Sequence, residues 1–360
     1  MEDVQLLALL VHRGHLGRPE AEKLLPALKS GGALDALLLE LPGWDEEKVA
    51  RMRRTRAGEI PEIPGYRIRR KLGTGGTADV FLALEKKSGA ELALKVLKPE
   101  AVAHAPTRKA FIAEARLLER LEHENLVGCH GVARSGQTYF SKLEHLDGKT
   151  VLEHLDGGRR FEEREALRMV LDVAKVLAYL LDEDIVHRDV KPGNMILVAD
   201  GDEERTVLID LGFAAEGGEE CASSEGDTTQ GTVAYLSPEQ ARGAGGPDLR
   251  SDIYSLGVSL FHIAIGHLPF EASDDRELMR MQVMEALSSP ELKGRGFSQH
   301  LHYFIEKMMA KEAQDRYQSW DELIRDFEEQ LSGADELDFE SQVRSQSQTR
   351  GRGGRGRRLR

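Results

Sequence analysis

The chain has 360 residues, 31% of them charged, and a formal net charge of −13 at pH 7. This length accommodates two or three compact units, and the acidic balance argues against wholesale binding of nucleic acid or membrane. No apolar run approaches the roughly 18 residues of a membrane span, and the first residues lack the pattern of a secretory signal. Two cysteines, Cys129 and Cys221, are too few for a disulfide framework and lack the spacing of a zinc site. These features predict a cytoplasmic protein.

The first part of the chain, residues 1–54, is rich in leucine and predicts a small all-α module. Pro19 suits the first turn of a helix and Gly31 suits a stop, whereas Pro26 argues against one continuous second helix. Such short helices must pack on each other, on the rest of the chain, or on a partner. We therefore expect an interaction module, followed by a proline-containing linker over residues 55–64.

A glycine-rich segment, Gly73-Thr74-Gly75-Gly76, opens the next region, where strand-type patterning begins. Glycine lets the backbone approach phosphate groups closely, and the amides of such a loop can donate hydrogen bonds to their oxygens. By itself the segment fits a glycine turn without a ligand equally well.

A lysine inside an apolar strand is the next feature of interest. Lys95 lies within Leu92-Ala93-Leu94-Lys95-Val96, and a buried ammonium requires an anionic partner. Glu114, in an amphipathic stretch, is the best candidate for that partner. The alternative is a surface lysine beside a solvated helix glutamate.

A polar loop between two apolar segments carries the strongest signal. Asp189, Lys191 and Asn194 lie at fixed offsets between Ile185-Val186 and Met195-Ile196-Leu197, which predict short buried strands that hold the loop. A second apolar strand, residues 207–209, ends in Asp210.

In this order the motifs resemble those of bacterial, eukaryotic-like serine/threonine protein kinases, over about residues 66–331. The resemblance implies an α+β, two-lobed protein kinase fold preceded by the small all-α module. The domains expected are the helical module (1–54), the linker (55–64), the kinase domain (65–331) and a disordered tail (332–360). Within the kinase domain we expect an N-lobe over 65–143, a hinge over 144–148 and a C-lobe over 149–331.

The resemblance also implies the role of each site residue, with ATP and Mg²⁺ as the cofactors and proteins as the substrates. The implied catalytic residues are Asp189, Lys191, Lys95 and Glu114. The implied metal ligands are Asn194 and Asp210. The nucleotide is expected to lie against Leu72, Gly73, Thr74, Gly75, Gly76, Val80, Ala93, Lys95, Leu143, Glu144, Leu146 and Ile196. The sequence departs from the family pattern at three places: Ala78 replaces the third glycine, Leu211 the phenylalanine of Asp-Phe-Gly, and Ser237 the commoner alanine.

Further motifs follow in the order that the family predicts. Residues 231–239 resemble the end of an activation segment, Asp252 is expected to brace the catalytic loop, and Arg316 to pair with Glu239. We expect an activating phosphate on Thr228 or Thr229, received by Arg188. Thr232 is expected to serve the substrate site.

Two alternatives to an active kinase remain open at this point. One is an inactive kinase-fold scaffold, although every catalytic position is filled. The other is an RNA-associated protein acting through residues 341–360, which carry seven arginines and no acidic residue. The absence of interleaved aromatic residues removes base stacking from that segment, so we expect the tail to be dispensable for chemistry and nucleic-acid binding to be the weaker hypothesis.

Overall fold

The fold is taken from a computed structural model, which describes residues 3–12, 15–46, 48–50, 52, 60–201, 203–211, 215–216, 233–243, 248–287 and 296–333. Its contacts divide the chain into two compact units. The first comprises residues 1–71 with 83–90, and the second comprises residues 72–82 with 91–360. The domain boundaries predicted from the sequence remain predictions.

The first unit begins with three helices: α1 (Asp3–His12), α2 (Arg18–Lys29) and α3 (Leu34–Leu39). Residues 46, 48–50 and 52 are also helical. The apolar faces of these helices pack on each other, so the module has its own core. That core consists of Leu6, Leu7, Leu10, Leu16, Ala21, Leu24, Leu28, Leu34, Leu38 and Val49.

The second helix runs through its internal proline. Pro19 lies in the first turn of α2, as expected, and the helix continues past Pro26 to Lys29. Proline removes one backbone donor and crowds the preceding turn, but Leu24 and Leu28 on either side are both buried. Burial of these two leucines stabilises the last turn, and the helix is continuous through Pro26.

A five-stranded sheet forms the region that the sequence predicts as the N-lobe. Its strands are β1 (Tyr66–Thr74), β2 (Ala78–Glu85), β3 (Glu91–Leu97), β4 (Cys129–Ser135) and β5 (Thr138–Glu144), in the order β1-β2-β3-β5-β4. β3 and β5 pair antiparallel with Ala93 opposite Leu143. Two helices lie between β3 and β4, α4 (Pro99–Ala103) and α5 (Ala105–Leu118). The sheet thereby carries Lys95, and α5 carries Glu114.

The chain after β5 is mainly helical. Its helices are α6 (Val151–Asp156), α7 (Glu163–Asp182), α8 (Pro238–Ala241), α9 (Leu249–Ile265), α10 (Asp275–Met284), α11 (Gln299–Met308) and α12 (residues 320–333). Every residue of α9 from Ser251 to Ile265 is buried, so the other helices are built around it. None of the described helices is both long and apolar enough to span a membrane.

Short strands frame the polar loop of the C-lobe. β6 (Gly148–Thr150), β8 (Met195–Asp200) and β9 (Glu203–Leu208) form a three-stranded antiparallel sheet, and β7 (Ile185–Val186) pairs with β10 (Ala215–Glu216). The loop with Asp189 and Asn194 therefore runs from the end of β7 to the start of β8. Both flanks are pinned by main-chain pairing, as their apolar sequence predicts.

One buried ion pair ties three segments of the C-lobe together. Arg316, 2% exposed, donates from Nη1 and Nη2 to the carboxylate of Glu239 at 2.7 and 2.9 Å, and Nη1 also donates to the carbonyl of Arg250. Burial alone disfavours the Glu239 carboxylate, but hydrogen bonds from Arg316 and Ser251 outweigh it and lower its pKa to about 2. The Arg316–Glu239 pair, expected from the sequence, is thus a bidentate contact.

We expect Glu239→Gln to lower the free energy of unfolding by about 3 kcal/mol at pH 7, because it leaves the Arg316 guanidinium buried without its counter-charge. The folded-state pKa of Glu239 lies below its ordinary value of 4.5. The stability that the pair contributes is therefore present above pH 4.5 and is lost as the pH falls toward 2. Urea unfolding of both proteins at pH 7, 5 and 4 should show the difference narrowing with acid. Glu277→Gln, which breaks an exposed pair with Arg280, is the matched control and should leave the midpoint unchanged. An equal effect of the two variants would contradict the prediction.

Candidate active site

A lysine between two carboxylates forms the centre of the site. The Nζ of Lys95 lies 2.7 Å from Glu114 Oε1 and 3.1 Å from Asp210 Oδ1. The side chains of Lys95 and Glu114 are 17% and 11% exposed, and Asp210 is 34% exposed. Three segments thus meet at one point: β3 with Lys95, α5 with Glu114, and the chain at Asp210.

The pKa values follow from two anions sharing one cation. Burial disfavours the ammonium of Lys95, but the charges of Asp210 and Glu114 outweigh burial and raise its pKa. Burial raises the pKa of Glu114. Burial also disfavours the ionised form of Asp210, but the charge of the neighbouring Lys95 outweighs burial and lowers the pKa of Asp210. Asp210 is therefore the carboxylate that stays ionised, and it is also the more exposed of the two.

The polar loop presents a second lysine–carboxylate pair. The Nζ of Lys191 donates to both carboxylate oxygens of Asp189, at 2.9 and 2.7 Å. Asn194 donates from its side-chain amide nitrogen to the carbonyl and the carboxylate of Asp189, at 2.9 and 3.0 Å. Because the nitrogen of Asn194 faces Asp189, its amide oxygen is the atom that would bind a metal.

A buried histidine connects this loop to Asp210. The backbone amide of Asp189 donates to Nδ1 of His187 at 3.2 Å, and Nε2 of the same ring lies 2.6 Å from the carbonyl of Asp210. Since Nδ1 accepts a hydrogen bond, Nε2 carries the ring hydrogen and donates it to Asp210. The ring thus fixes the spacing between the Asp189 and Asp210 backbones.

Asp252 of α9 holds the start of the loop. Its carboxylate accepts hydrogen bonds from the backbone amides of His187 (2.8 Å) and Arg188 (2.7 Å), as the family resemblance implies. Arg188 has φ = +69°, in the left-handed region that non-glycine residues rarely adopt. The carboxylate of Asp252, with Gln240 donating to the Arg188 carbonyl at 3.4 Å, stabilises this strained turn.

The apolar residues expected around the nucleotide are buried or partly buried. Ala93 and Leu143 are buried opposite each other on β3 and β5, and Leu72, Val80 and Leu146 pack partly buried against the same core. Ile196 is half-buried on β8.

Glu144 directs its side chain elsewhere. Its carboxylate accepts a hydrogen bond from the amide of Gly128 at 3.3 Å. It also lines, with Leu146, a cavity of about 440 Å³ whose wall includes Leu126 and Val207 but neither Lys95 nor the glycine-rich segment. The side chain of Glu144, which the sequence predicts at the nucleotide site, is thus bonded to Gly128.

The glycine-rich segment closes a tight turn between β1 and β2. The amide of Gly75 donates to the carbonyl of Ala78 at 2.8 Å, and a Cβ atom on Gly75 would lie only 3.2 Å from that oxygen. Gly73 and Thr74 lie at the end of β1, and Gly76 lies in the turn. The threonines of the expected activation segment, Thr228, Thr229 and Thr232, lie outside the described residues.

The family profile of the protein kinase domain matches residues 66–326 of the chain. The chain belongs to this family. The sheet that carries Lys95 and the helical part built around α9 are the two lobes of its fold.

The curated relatives are bacterial kinases. A serine/threonine-protein kinase of Myxococcus xanthus, pkn2, is 33% identical over 262 residues, which cover 72% of this chain and 31% of that protein. PknJ of Mycobacterium tuberculosis is 33% identical over 266 residues (73% and 44%), and PrkC of Bacillus subtilis is 29% identical over 261 residues (72% and 40%). The matched region thus spans less than half the length of these relatives.

Sequence reasoning missed two residues that shape the loop. His187 and Gln240 both make hydrogen bonds to backbone carbonyls, of Asp210 and Arg188 respectively. The position of His187 directly before Arg188-Asp189 was the available signal, because a ring there is adjacent to the catalytic residues. Gln240 gave no comparable signal.

We expect Asp252→Asn to reduce phosphoryl transfer at least tenfold, because one amide oxygen replaces two charged acceptors and one loop amide loses its bond. Such bonds to charged groups contribute about 1.5–3 kcal/mol each. Steady-state turnover measures the loss of transfer, and the thermal unfolding midpoint measures the loss of stability from the missing bond. Asp248→Asn on the same helix is the control: it retains an N-cap side chain and should keep turnover within twofold. Equal turnover of Asp252→Asn and wild type would show that the carboxylate does not hold the loop.

Proposed function

We propose that this chain is an active serine/threonine protein kinase that transfers the γ-phosphate of MgATP to hydroxyl groups of proteins. The observation that carries the proposal is the juxtaposition of two lysine–carboxylate sites. Lys95 lies between Glu114 and Asp210, and Lys191 lies against Asp189. The names of the bacterial relatives, all serine/threonine-protein kinases, support the same substrate class.

The donor set fits magnesium held jointly by the protein and a nucleotide. Asp210 supplies a carboxylate and Asn194 an amide oxygen, and the residues are linked because Ile209 donates its amide to the Asn194 carbonyl at 3.0 Å. Among the described residues no cluster of three or more His, Cys, Asp or Glu side chains forms a metal site. Mg²⁺ commonly takes one or two protein ligands and completes its shell with phosphate and water. When bound, it neutralises charge on the phosphate groups.

Each side chain has one task in the proposed reaction. The Lys95 ammonium, aligned by Glu114, binds the oxygens of the α- and β-phosphates. Asp189 accepts the proton of the attacking hydroxyl, whose oxygen forms a bond to the γ-phosphorus while the bond to the β–γ bridging oxygen breaks. Lys191 offsets the negative charge on the group in transit. The products are a phosphorylated side chain and ADP.

The scaffold alternative is less well supported. A kinase-fold scaffold typically lacks one of the catalytic groups, whereas here Lys95, Glu114, Asp189, Asn194 and Asp210 are all present and each forms a hydrogen bond with another member of the set. The RNA alternative concerns residues 341–360, which lie outside the described residues.

We expect Lys95→Met and Asp189→Asn to abolish transfer by different routes. Loss of a positioned charge at the reacting group raises the barrier by several kcal/mol, so turnover should fall at least a hundredfold in both. Lys95→Met should also weaken MgATP binding, whereas Asp189→Asn should keep it within about threefold because Asp189 addresses the hydroxyl. Isothermal titration and transfer of labelled phosphate to casein separate the two effects.

The matched controls for these variants are Lys109→Met and Asp182→Asn, which change exposed residues of α5 and α7. Both should retain wild-type turnover. Wild-type turnover in Lys95→Met or Asp189→Asn would overturn the proposed function, and loss of MgATP binding in Asp189→Asn would overturn the division of roles.

We also propose that phosphate on Thr228 or Thr229 activates the enzyme. Arg188 precedes Asp189 in the strained turn described above, where a guanidinium can receive a phosphate and fix the segment. The double variant Thr228→Ala/Thr229→Ala should therefore show at least tenfold slower peptide phosphorylation after preincubation with MgATP. The matched control is Thr138→Ala at the start of β5, outside both the activation segment and the glycine-rich turn. An unchanged rate with no lag in the double variant would refute the switch.

A further inference from the structure

Lys98, directly after β3, donates hydrogen bonds to three successive carbonyls of the glycine-rich turn. Its Nζ lies 2.6 Å from the carbonyl oxygen of Gly75 and 3.2 Å from that of Gly76. Its backbone amide donates to the carbonyl of Thr77 at 2.9 Å. One residue therefore fixes three consecutive peptide planes.

The orientation of the amides follows from the orientation of these carbonyls. In a trans peptide unit the C=O and the N–H point in opposite directions, and the described residues contain no cis peptide bond. With the carbonyls of residues 75–77 turned toward Lys98, the amides of Gly76, Thr77 and Ala78 point to the opposite side of the turn. Successive amides on one side form a concavity that binds anions.

The turn has a reason to need such a tether. Glycine loses more conformational freedom on ordering than any other residue, and two glycines lie side by side at its tip. The side chain of Lys98 is 28% exposed, and its ammonium lies 4.0 Å from the carboxylate of Asp79, whose side chain is 22% exposed. This carboxylate balances the charge of Lys98, so the ammonium acts on the turn through its hydrogen bonds rather than as an isolated charge.

We propose that Lys98 is a positioning residue that organises the phosphate-binding face of the glycine-rich turn before nucleotide binds. This face binds the phosphate groups of a nucleoside di- or triphosphate and makes no contact with the adenosine moiety. The inference rests on the proposed nucleotide site. It is separate from Lys95, whose ammonium contacts Glu114 and Asp210 rather than the turn.

The test compares the full chain with its Lys98→Met and Lys87→Met variants. Lys87 is an exposed lysine in the turn between β2 and β3, so its replacement removes the same charge from the same sheet. By isothermal titration, Lys98→Met should weaken MgATP and MgADP binding about tenfold and leave adenosine binding within twofold. Lys87→Met should leave all three within twofold.

Hydrogen exchange separates positioning from simple charge attraction. In nucleotide-free protein, peptides that span residues 72–80 should exchange at least fivefold faster in Lys98→Met, because the Gly75 amide loses protection as the turn loosens. A charge acting only on the bound phosphate leaves that exchange rate unchanged. The Lys98→Arg variant keeps the positive charge and can reach the carbonyls of Gly75 and Gly76. Its MgATP affinity should therefore lie within threefold of wild type.

Three results would overturn the inference: unchanged MgATP affinity in Lys98→Met, an equal loss of adenosine affinity, or unchanged exchange in the nucleotide-free turn. Each is read against a wild type that binds MgATP. A wild type that binds neither MgATP nor MgADP would refute the proposed function instead, so the two failures are distinct.

Discussion

The site depends on one buried carboxylate, that of Asp252. It lies on a helix whose residues from Ser251 to Ile265 are all buried, and it accepts the amides of His187 and Arg188. Burial raises its pKa, so its ionised form must be stabilised by those two hydrogen bonds and the neighbouring charge of Arg188. The buried Asp252 carboxylate requires hydrogen-bond donors, and the strained turn at Arg188 supplies two amides. The carboxylate and the turn therefore stabilise each other. The core of the C-lobe thereby determines where the catalytic loop begins.

From that starting point the arrangement extends to Asp210. His187, fixed by its amide to Asp252, places its ring between the amide of Asp189 and the carbonyl of Asp210. Asp210 in turn reaches Lys95 on the other lobe's sheet. The Asp210 carboxylate stays ionised and is the more exposed of the two beside Lys95, which favours a divalent cation next to it. The residue with the lowered pKa, Asp210, is the one that would meet that cation.

The sequence predicted those parts of the site in which one side chain needs another side chain as its charged or hydrogen-bonding partner. A lysine in the apolar strand β3 requires an anion, and Glu114 was identified on that ground. The kinase motifs supplied Asp252 and the pair of Arg316 with Glu239, and the structure contains all three contacts. Helix α2 shows where local rules mislead: Pro26 disfavours a continuous helix, but burial of Leu24 and Leu28 outweighs that local cost.

Other contacts had no signature in the sequence, and Lys98 shows why. Its partners are the carbonyls of residues 75–77, and every residue of the chain offers a carbonyl, so neither the lysine nor its acceptors are marked by residue type. Gln240, which bonds the carbonyl of Arg188, is unpredictable for the same reason. A lysine three positions after Lys95 fits a solvated surface equally well until the path of the backbone is known. Side chains that recognise other side chains can therefore be predicted from composition and spacing, whereas side chains that shape the backbone require the fold. In this site the first class includes the charged groups proposed for the chemistry, and the second class sets the geometry in which those groups meet a substrate.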